Sequence, residues 1–311
     1  MSEEQRNLDR IVRKLGVGNM VELLAEQISG SDLNTLLLEV FREKTKAASA
    51  ADLLKRYQEN RFVKPAEVNP LQMKQLELDI LNIAQEHLFA PVQLSPIAPL
   101  GSCSIVAAAD QNKIISALRG TEVVADATNL LALHVSDGLK SGTLDNRNGF
   151  VRFSTTHRHA RAQKFKKAPG MLPHFHLFCM VSSGVDQGSY SFEISSFWEH
   201  IQVFQHMFQS LFQSEIEVSL SVRGGYKDPE DLVRRILLHA ERNSINVAAS
   251  INPMKQDNQY YKGLQFTIIA NIRGNIHQIG DGGIVDWTQQ LLGNKKERFM
   301  ISAIGLDRLL L

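Results

Sequence analysis

The stretch from Phe299 to Leu311, FMISAIGLDRLLL, decides how this chain folds. Its apolar run up to Gly305 reads as a buried strand, and the leucines around Arg308 read as the helix that the strand enters. Working back from this element, NIHQIG, LQFTIIANI and NVAASIN read as strands around a glycine turn, and a helix is predicted from about Ile284 to Leu292. Asp228-Pro229 opens another helix. Ile216, Val218, Leu220 and Val222 alternate as a half-buried strand. Such an order favours an α+β fold with a largely antiparallel sheet.

From Phe150 the pattern is strand, basic loop, strand: VRFSTTHRHARAQ, KFKKAPGM and LPHFHLFCMVSSG make a long hairpin. Ser196 and Glu199 fit a capping box for a helix that carries Phe197, Ile201, Phe204, Phe208 and Leu211 on one face. Earlier in the chain, Asn69-Pro70 starts a helix whose Leu76, Ile80, Ile83 and Ala84 form one stripe. The prolines of FAPVQLSPIAPLG end it, and SIVAAADQNKIIS and TEVVADATNLLAL mix short strand and helix signals. Up to about Glu67 the chain reads as helices, because Val21, Leu24 and Ile28, then Leu37, Val40 and Phe41, recur at helical spacing. Ser31 and Asp32 are the expected cap of the second of these helices. Pro65 marks a break, which divides the chain into a helical appendage, residues 1–66, and a main domain, residues 67–311.

Lys+Arg 34 against Asp+Glu 33 gives a formal charge of +1, so no global field draws the chain to a polyanion. Cys103 and Cys179 are too few for a disulfide framework and form no C-x-x-C pair, so both are expected to be small buried residues. MSEEQRNLDRIVRK lacks the apolar stretch of a signal peptide, and no window holds the ~18 apolar residues of a membrane span. A cytoplasmic protein is expected.

SAIGLDRLLL resembles the third signature motif of class II aminoacyl-tRNA synthetases, with Arg308 at the motif's arginine. YYKGLQF (Tyr260 to Phe266) and GDGGIVDWTQQLLG (Gly280 to Gly293) resemble, in order and spacing, the tyrosine-glycine and glycine-rich segments of the histidyl enzymes. THRHARAQ (Thr156 to Gln163), the basic loop and PHFHLF (Pro173 to Phe178) resemble the strand, loop and return strand of the second motif, with Arg158 at its arginine. LSPIAP (Leu94 to Pro99) is similar to the proline segment of the first motif, and VADATN (Val124 to Asn129) to the segment that helps hold the amino acid. Residues from about 71 to 311 are covered.

This resemblance implies a class II synthetase-like antiparallel sheet flanked by helices, a homodimer joined through the first motif, and ATP with Mg²⁺ as candidate cofactors. Arg158 and Arg308 are the implied catalytic residues, Arg158 at the α-phosphate and the attacked carboxylate and Arg308 at the γ-phosphate, where the planar guanidinium fork suits paired oxygens. Arg161, Asp126, Thr128, Tyr260, Tyr261, Gly282 and Gly283 complete the implied binding set. Simpler roles exist for several of them. Asp126 and Thr128 also suit a turn and helix cap, Tyr260 and Tyr261 suit half core and half pocket, and Gly280, Gly282 and Gly283 suit a tight backbone. His157 and His159 share one strand face and His174 and His176 share one on the return strand; packing on the face opposite Arg158 is expected there, and no metal. Lys164, Lys166 and Lys167 resemble the loop that touches an acceptor stem, or form a solvated turn.

Several positions depart from the histidyl pattern. Pro99 stands at a glutamate position, and Ala160 replaces the glutamate two places after the motif-two arginine. Leu177 replaces a glutamine, Val181 a glutamate, and Gln256 the arginine before the tyrosine pair. Each lost hydrogen bond to a buried polar group is worth about 1–3 kcal/mol, so recognition of histidine is not expected. The sequence ends within the third motif's helix, so neither an anticodon-reading domain nor a tRNA partner is expected. These features favour a non-charging paralogue that binds a small carboxylate, an amino acid or a nucleotide, in the manner of the synthetase-like regulatory subunit of ATP phosphoribosyltransferase, whose role implies a protein partner. A ligase that forms the adenylate of another carboxylate is the alternative, and an interaction module with a dead pocket is the third.

Overall fold

A computed structural model of the chain describes residues 3–163, 173–252, 260–272 and 274–310. The chain forms two compact units, Met1–Asn60 with Ala117–Thr121, and Arg61–Ser116 with Glu122–Leu311. In the first unit the helices are α1 (Glu3–Leu15), α2 (Met20–Glu22, continued as a π-helical turn over Leu23–Gln27), α3 (Gly30–Lys46) and α4 (Ala50–Glu59). The cap of α3 is Ser29 and not the expected Ser31 and Asp32: the Asp32 amide donates to Ser29 Oγ at 3.1 Å, so Ser31 and Asp32 already lie in the first turn. A reciprocal capping box between Ser49 and Asp52 starts α4.

The second unit begins its strands with β1 (Ala90–Pro91) and β2 (Ile97–Pro99), and the short strands β3 (Ser116–Ala117) and β4 (Thr121–Val123) lie at the ends of the segment 117–121. The long strands are β5 (Val151–Ala160), β6 (His174–Val185), β7 (Ile216–Val222), β8 (Ala248–Ile251), β9 (Leu264–Ile272), β10 (Asn275–Val285) and β11 (Glu297–Gly305). Eight strands form one sheet in the order β1-β5-β6-β11-β10-β9-β7-β8. Only the two edge pairings, β1 with β5 and β7 with β8, are parallel, so the sheet is largely antiparallel as the sequence predicts.

Helices cover both faces of this sheet. The helices α5 (Pro70–Glu86), α8 (Ser191–Phe212) and α9 (Pro229–Arg242) contribute to a core that also takes Phe178 and Met180 from β6, Phe266 and Ile268 from β9, and Ile304 from β11. Burial of each of its phenylalanines is worth roughly 1.5–3 kcal/mol. On the opposite face α7 (Ala127–Ser141), with α6 (Ser102–Val106) and α10 (Trp287–Leu292), packs on Val181, Val285, Phe299 and Ile301. The chain closes with α11 (Asp307–Leu310). Asn69 caps α5 as predicted, its Oδ1 accepting from the amides of Leu71 and Gln72 at 2.9 and 3.2 Å.

Two predicted boundaries move. The helix α8 begins at Ser191, so Ser196 is an interior residue whose hydroxyl donates to the Phe192 carbonyl at 2.7 Å, while Glu199 pairs with Arg152 at 2.8 Å. Ser196 and Glu199 are therefore no capping box. Ile284 and Val285 stay in β10, paired with Met300 and Phe299 of β11, and the following helix starts only at Trp287.

Candidate functional site

A cavity of about 600 Å³ lies on the α7 face of the sheet. Side-chain alternation builds its floor. Phe175 and Leu177 from β6, Ala303 from β11 and Asp281 from β10 all point to that side, and the register pairs Asp281 directly with Ala303. The N-terminus of α7 supplies Asp126, Thr128 and Asn129, and the α6 region adds Cys103 and Ile114. Arg161, just beyond the end of β5, and Arg308, in α11, stand at its walls.

Asp126 is both a helix cap and a pocket residue. Its Oδ1 accepts from the Thr128 amide at 2.9 Å and the Thr128 hydroxyl at 2.6 Å, and its Oδ2 accepts from Tyr260 Oη at 2.9 Å. Tyr261 likewise bonds Asp281, and the two tyrosine rings stack edge to face with centroids 4.8 Å apart. Burial, with the neighbouring carboxylates, pushes both phenols well above their usual range, so both remain hydrogen-bond donors at neutral pH. Asp281 is solvent-exposed along the cavity, and the protein atoms packed around its carboxyl, with the Asp126 charge, raise it above the ordinary carboxylate range. Gln265 Nε2 donates to Asp281 Oδ2 at 3.4 Å, and Gln265 is itself fixed by Arg223, whose Nε and Nη2 reach its Oε1 at 3.0 and 2.6 Å.

Arg161 donates its Nε to the Ala125 carbonyl at 2.8 Å and lies over the Phe175 ring, 5.2 Å from its centroid. Among the described residues its two terminal nitrogens have no hydrogen-bond partner, which leaves a planar fork for an anion. Arg308 is exposed, and its Nη1 donates to the Gln278 carbonyl at 3.3 Å. Of the residues singled out from the sequence, Asp126, Thr128, Arg161, Tyr260, Tyr261 and Arg308 therefore line one cavity.

Arg158 does not join them. Adjacent strand residues face opposite ways, and the hairpin register pairs Arg158 with His176, placing both on the α5 side of the sheet. There Arg158 Nη1 meets His176 Nδ1 at 2.9 Å, and its Nη2 and Nε meet His174 Nδ1 at 2.6 and 3.0 Å. His176 Nε2 continues to Glu77 Oε1 at 3.0 Å, and His174 Nε2 to the Lys64 carbonyl at 2.5 Å. The expectation that Arg158 and Arg308 meet over one cleft is corrected accordingly. So is the expectation for the histidines: His157 and His159 face away from Arg158, but His174 and His176 are its partners. His159, fully buried, accepts from the Ala127 amide at 2.7 Å, and burial holds its imidazole well below the usual range. Among the described residues no group of three or more His, Cys, Asp or Glu could hold a metal ion.

Gly282 and Gly283 are packing glycines. A Cβ on Gly283 would meet the Leu264 carbonyl at 2.4 Å and Tyr261 Cδ1 at 2.7 Å, and one on Gly282 would meet the Ile301 carbonyl at 2.5 Å. Gly283 thus makes room for the Tyr261 ring instead of touching the cavity. Asp281, Asn129 and Phe175 were not singled out from the sequence, although Asp281 stands in the quoted GDGG segment; its alternation with Ala303 is visible only once the register is known. Cys103 lines the cavity with its thiol pushed up to about 12 by burial and by Asp126, and Cys179 is fully buried, which raises its thiol well above the usual range. Neither is an activated thiolate. Lys164, Lys166, Lys167 and Gln256 lie outside the described residues.

No family model matches the sequence, and no curated protein matches it. Solved structures do. The fold is similar to apo histidyl-tRNA synthetase from S. aureus, with TM-score 0.59 and 11% identity over 78% of this chain and 67% of that one. It is similar to a chain described as the RNA binding domain of threonyl-tRNA synthetase from Cryptosporidium parvum Iowa II, with TM-score 0.60 and 11% identity over 77% and 63%. It is also similar to an ATP phosphoribosyltransferase regulatory subunit/histidyl-tRNA synthetase from Bacillus halodurans C, with TM-score 0.58 and 13% identity over 81% and 83%. The chain has a class II aminoacyl-tRNA synthetase-like core, which is a statement about fold. Among the described residues no helix is long and apolar enough to cross a membrane.

Proposed function

We propose that the cavity binds a small ligand carrying a carboxylate or phosphate, and that the protein is a regulatory, non-charging relative of histidyl-tRNA synthetase. The observation that carries this is the open guanidinium fork of Arg161 at the wall of a cavity that also holds the Asp126–Tyr260 and Asp281–Tyr261 pairs. Leu177, where the histidyl pattern has glutamine, lies in that floor, and Val181 is fully buried among apolar side chains, which supports a ligand other than histidine. The regulatory subunit named above gives the precedent for a histidyl-type fold with a protein partner. Homodimerisation belongs to the same proposal and is supported by the apolar Leu71, Leu88 and Ile105, which remain 74–80% exposed. Sedimentation at several concentrations tests it, and a monomer throughout would remove that part.

An ATP-dependent ligase is the second reading, favoured by Arg308 at the wall and by a volume larger than one amino acid requires. Magnesium would then be held chiefly by the nucleotide's own phosphates, since among the described residues no group of three or more His, Cys, Asp or Glu could hold it. A thermal-shift panel with ATP and Mg²⁺, AMP, amino acids and phosphoribosyl compounds separates the readings. Stabilisation without pyrophosphate exchange supports regulation, exchange that depends on one carboxylate selects the ligase, and no shift with any compound contradicts both.

A further inference from the structure

The short strands β3 and β4 form a hairpin that is shared along the chain by both compact units. Its tip, Ala117–Thr121, groups with the helices of the first unit, while the residues up to Ser116 and from Glu122 belong to the second. At the tip Arg119 and Gly120 turn the chain with positive φ values of 65° and 63°. The Thr121 hydroxyl donates to the Leu118 carbonyl at 2.8 Å, and the Arg119 amide donates to Oδ1 of Asn34, in α3, at 2.6 Å. The legs of the hairpin run to the cavity: Lys113 and Ile114 line it on the way out to the tip, and Ala125 and Asp126 on the way back.

Both legs converge on Arg161. The Ala162 amide donates to the Lys113 carbonyl at 2.8 Å, the Ala160 amide to the Val124 carbonyl at 3.1 Å, and Arg161 Nε to the Ala125 carbonyl at 2.8 Å, so three consecutive residues centred on the Arg161 fork hang from the hairpin. The legs are tied to each other by the Val123 amide and the Ile115 carbonyl at 2.9 Å. Glu122, only 1% exposed, ties them to a second wall by accepting from the amides of Gly101 and Cys103 at 2.9 and 3.1 Å and from Gln111 Nε2 at 3.1 Å. A segment bonded in this way moves as one body and carries a displacement of its tip to its base. The tip is held by a softer element. No described residue of the helical unit is buried, so its helices rest on caps and local hydrogen bonds and stand at the low end of the stability range, where ordering and melting are accessible.

We propose that the helical unit regulates the cavity through this hairpin. With α3 formed, Asn34 holds the tip and the legs set the Arg161 fork; with α3 melted, the tip is released and the fork loses its setting. This rests on the ligand-binding reading above and adds its regulation. Asn34 is then a positioning residue that touches no ligand. Linkage is reciprocal, so a ligand that prefers the set fork also stabilises α3.

Amide hydrogen exchange and calorimetric titration of the full chain test the proposal with Asn34→Ala, which keeps a good helix former and removes the acceptor at the tip, and Asn34→Asp, which keeps an acceptor. Without any ligand, Asn34→Ala is expected to speed exchange of the Ala160 and Ala162 amides about threefold or more, the size expected from one lost hydrogen bond, while the amides of β9 are unchanged and Asn34→Asp retains the wild-type rates. Faster exchange confined to α3 and the tip, as a purely local role of Asn34 predicts, or an equal rise in β9, as general destabilisation predicts, would overturn the proposal. ATP with Mg²⁺, AMP, leucine and histidine serve as probes of the cavity. Each probe that binds the wild type is expected to bind Asn34→Ala about threefold or more weakly and Asn34→Asp normally, and to slow exchange in α3 of the wild type. Equal affinity in Asn34→Ala for every probe that binds would overturn the coupling and leave the ligand-binding reading standing. If no probe binds any of the three proteins, that reading fails, and the Ala160 and Ala162 rates still decide the coupling.

Discussion

Arg158 and Arg161 lie three positions apart and serve opposite faces of the sheet, so their substitutions should separate stability from binding. Removal of the Arg158 side chain leaves the Nδ1 atoms of His174 and His176 without their donor, and Arg158→Ala is expected to cost about 1–3 kcal/mol in urea unfolding. Ligand-induced stabilisation should persist in that variant. Arg161→Gln should unfold at nearly the wild-type urea concentration and lose the ligand-induced shift; the opposite pattern would return Arg158 to the site. Histidine titration gives a second expectation. Burial holds His200 at about 3 and depresses His157, His159 and His176. Unfolded histidines gain protons near 6.5 while these do not, so stability present above that pH is lost as pH falls towards about 3, by up to about 1.4 kcal/mol per pH unit for His200. Urea midpoints at pH 7.5 and 5.5 should show the fall, with a shallower slope in His200→Asn. The sequence marked Arg158 by its neighbours alone; which face a strand residue takes depends on register with a partner strand, and a string of residues does not carry that.

At the scale of elements, local chemistry was legible where a capping side chain stands before a proline, and not at α3, whose cap is Ser29 and not Ser31 and Asp32. Asn69 and Asp228 each precede a proline at the first helical position, and both caps are formed. Asn69→Ala is expected to cost about 1 kcal/mol, measured by urea unfolding. The start of α8 was not legible, because its cap is Tyr190 in a left-handed conformation with no side-chain capping bond, so nothing marks it in the sequence. The strand β10 carries the other hidden feature: its pairing with β9 shifts register between Gln278 and Gly280, immediately before Asp281. A bulge of this kind re-aims the following side chains, and here the re-aimed residue is the second acid of the cavity. Gly283→Ala should be poorly tolerated, since a backbone carbonyl and the Tyr261 ring occupy the space of its Cβ. A loss of about 1–3 kcal/mol in unfolding free energy is expected, together with weaker ligand binding; a neutral result would mean that the β9–β10 contact is looser than described.

The whole second unit was largely legible. Ordered motif matches from LSPIAP to SAIGLDRLLL predicted a largely antiparallel sheet flanked by helices, and the eight-stranded sheet and the similarity to synthetase structures agree with it. Leu177 lies in the cavity floor and Arg308 at its wall, whereas Asp281 emerges only from the meeting of three strands. A cavity whose acids, tyrosines and arginines come from α7, the ends of β5 and β11, and the β9–β10 pair should favour the native state when its ligand is present. The most direct test is the melting temperature of the wild-type chain and of Arg161→Gln with the ligand panel. The account predicts that at least one amino acid or nucleotide raises the melting temperature of the wild type and leaves that of Arg161→Gln unmoved, whereas an equal rise in both proteins, or in neither with every compound, would contradict it.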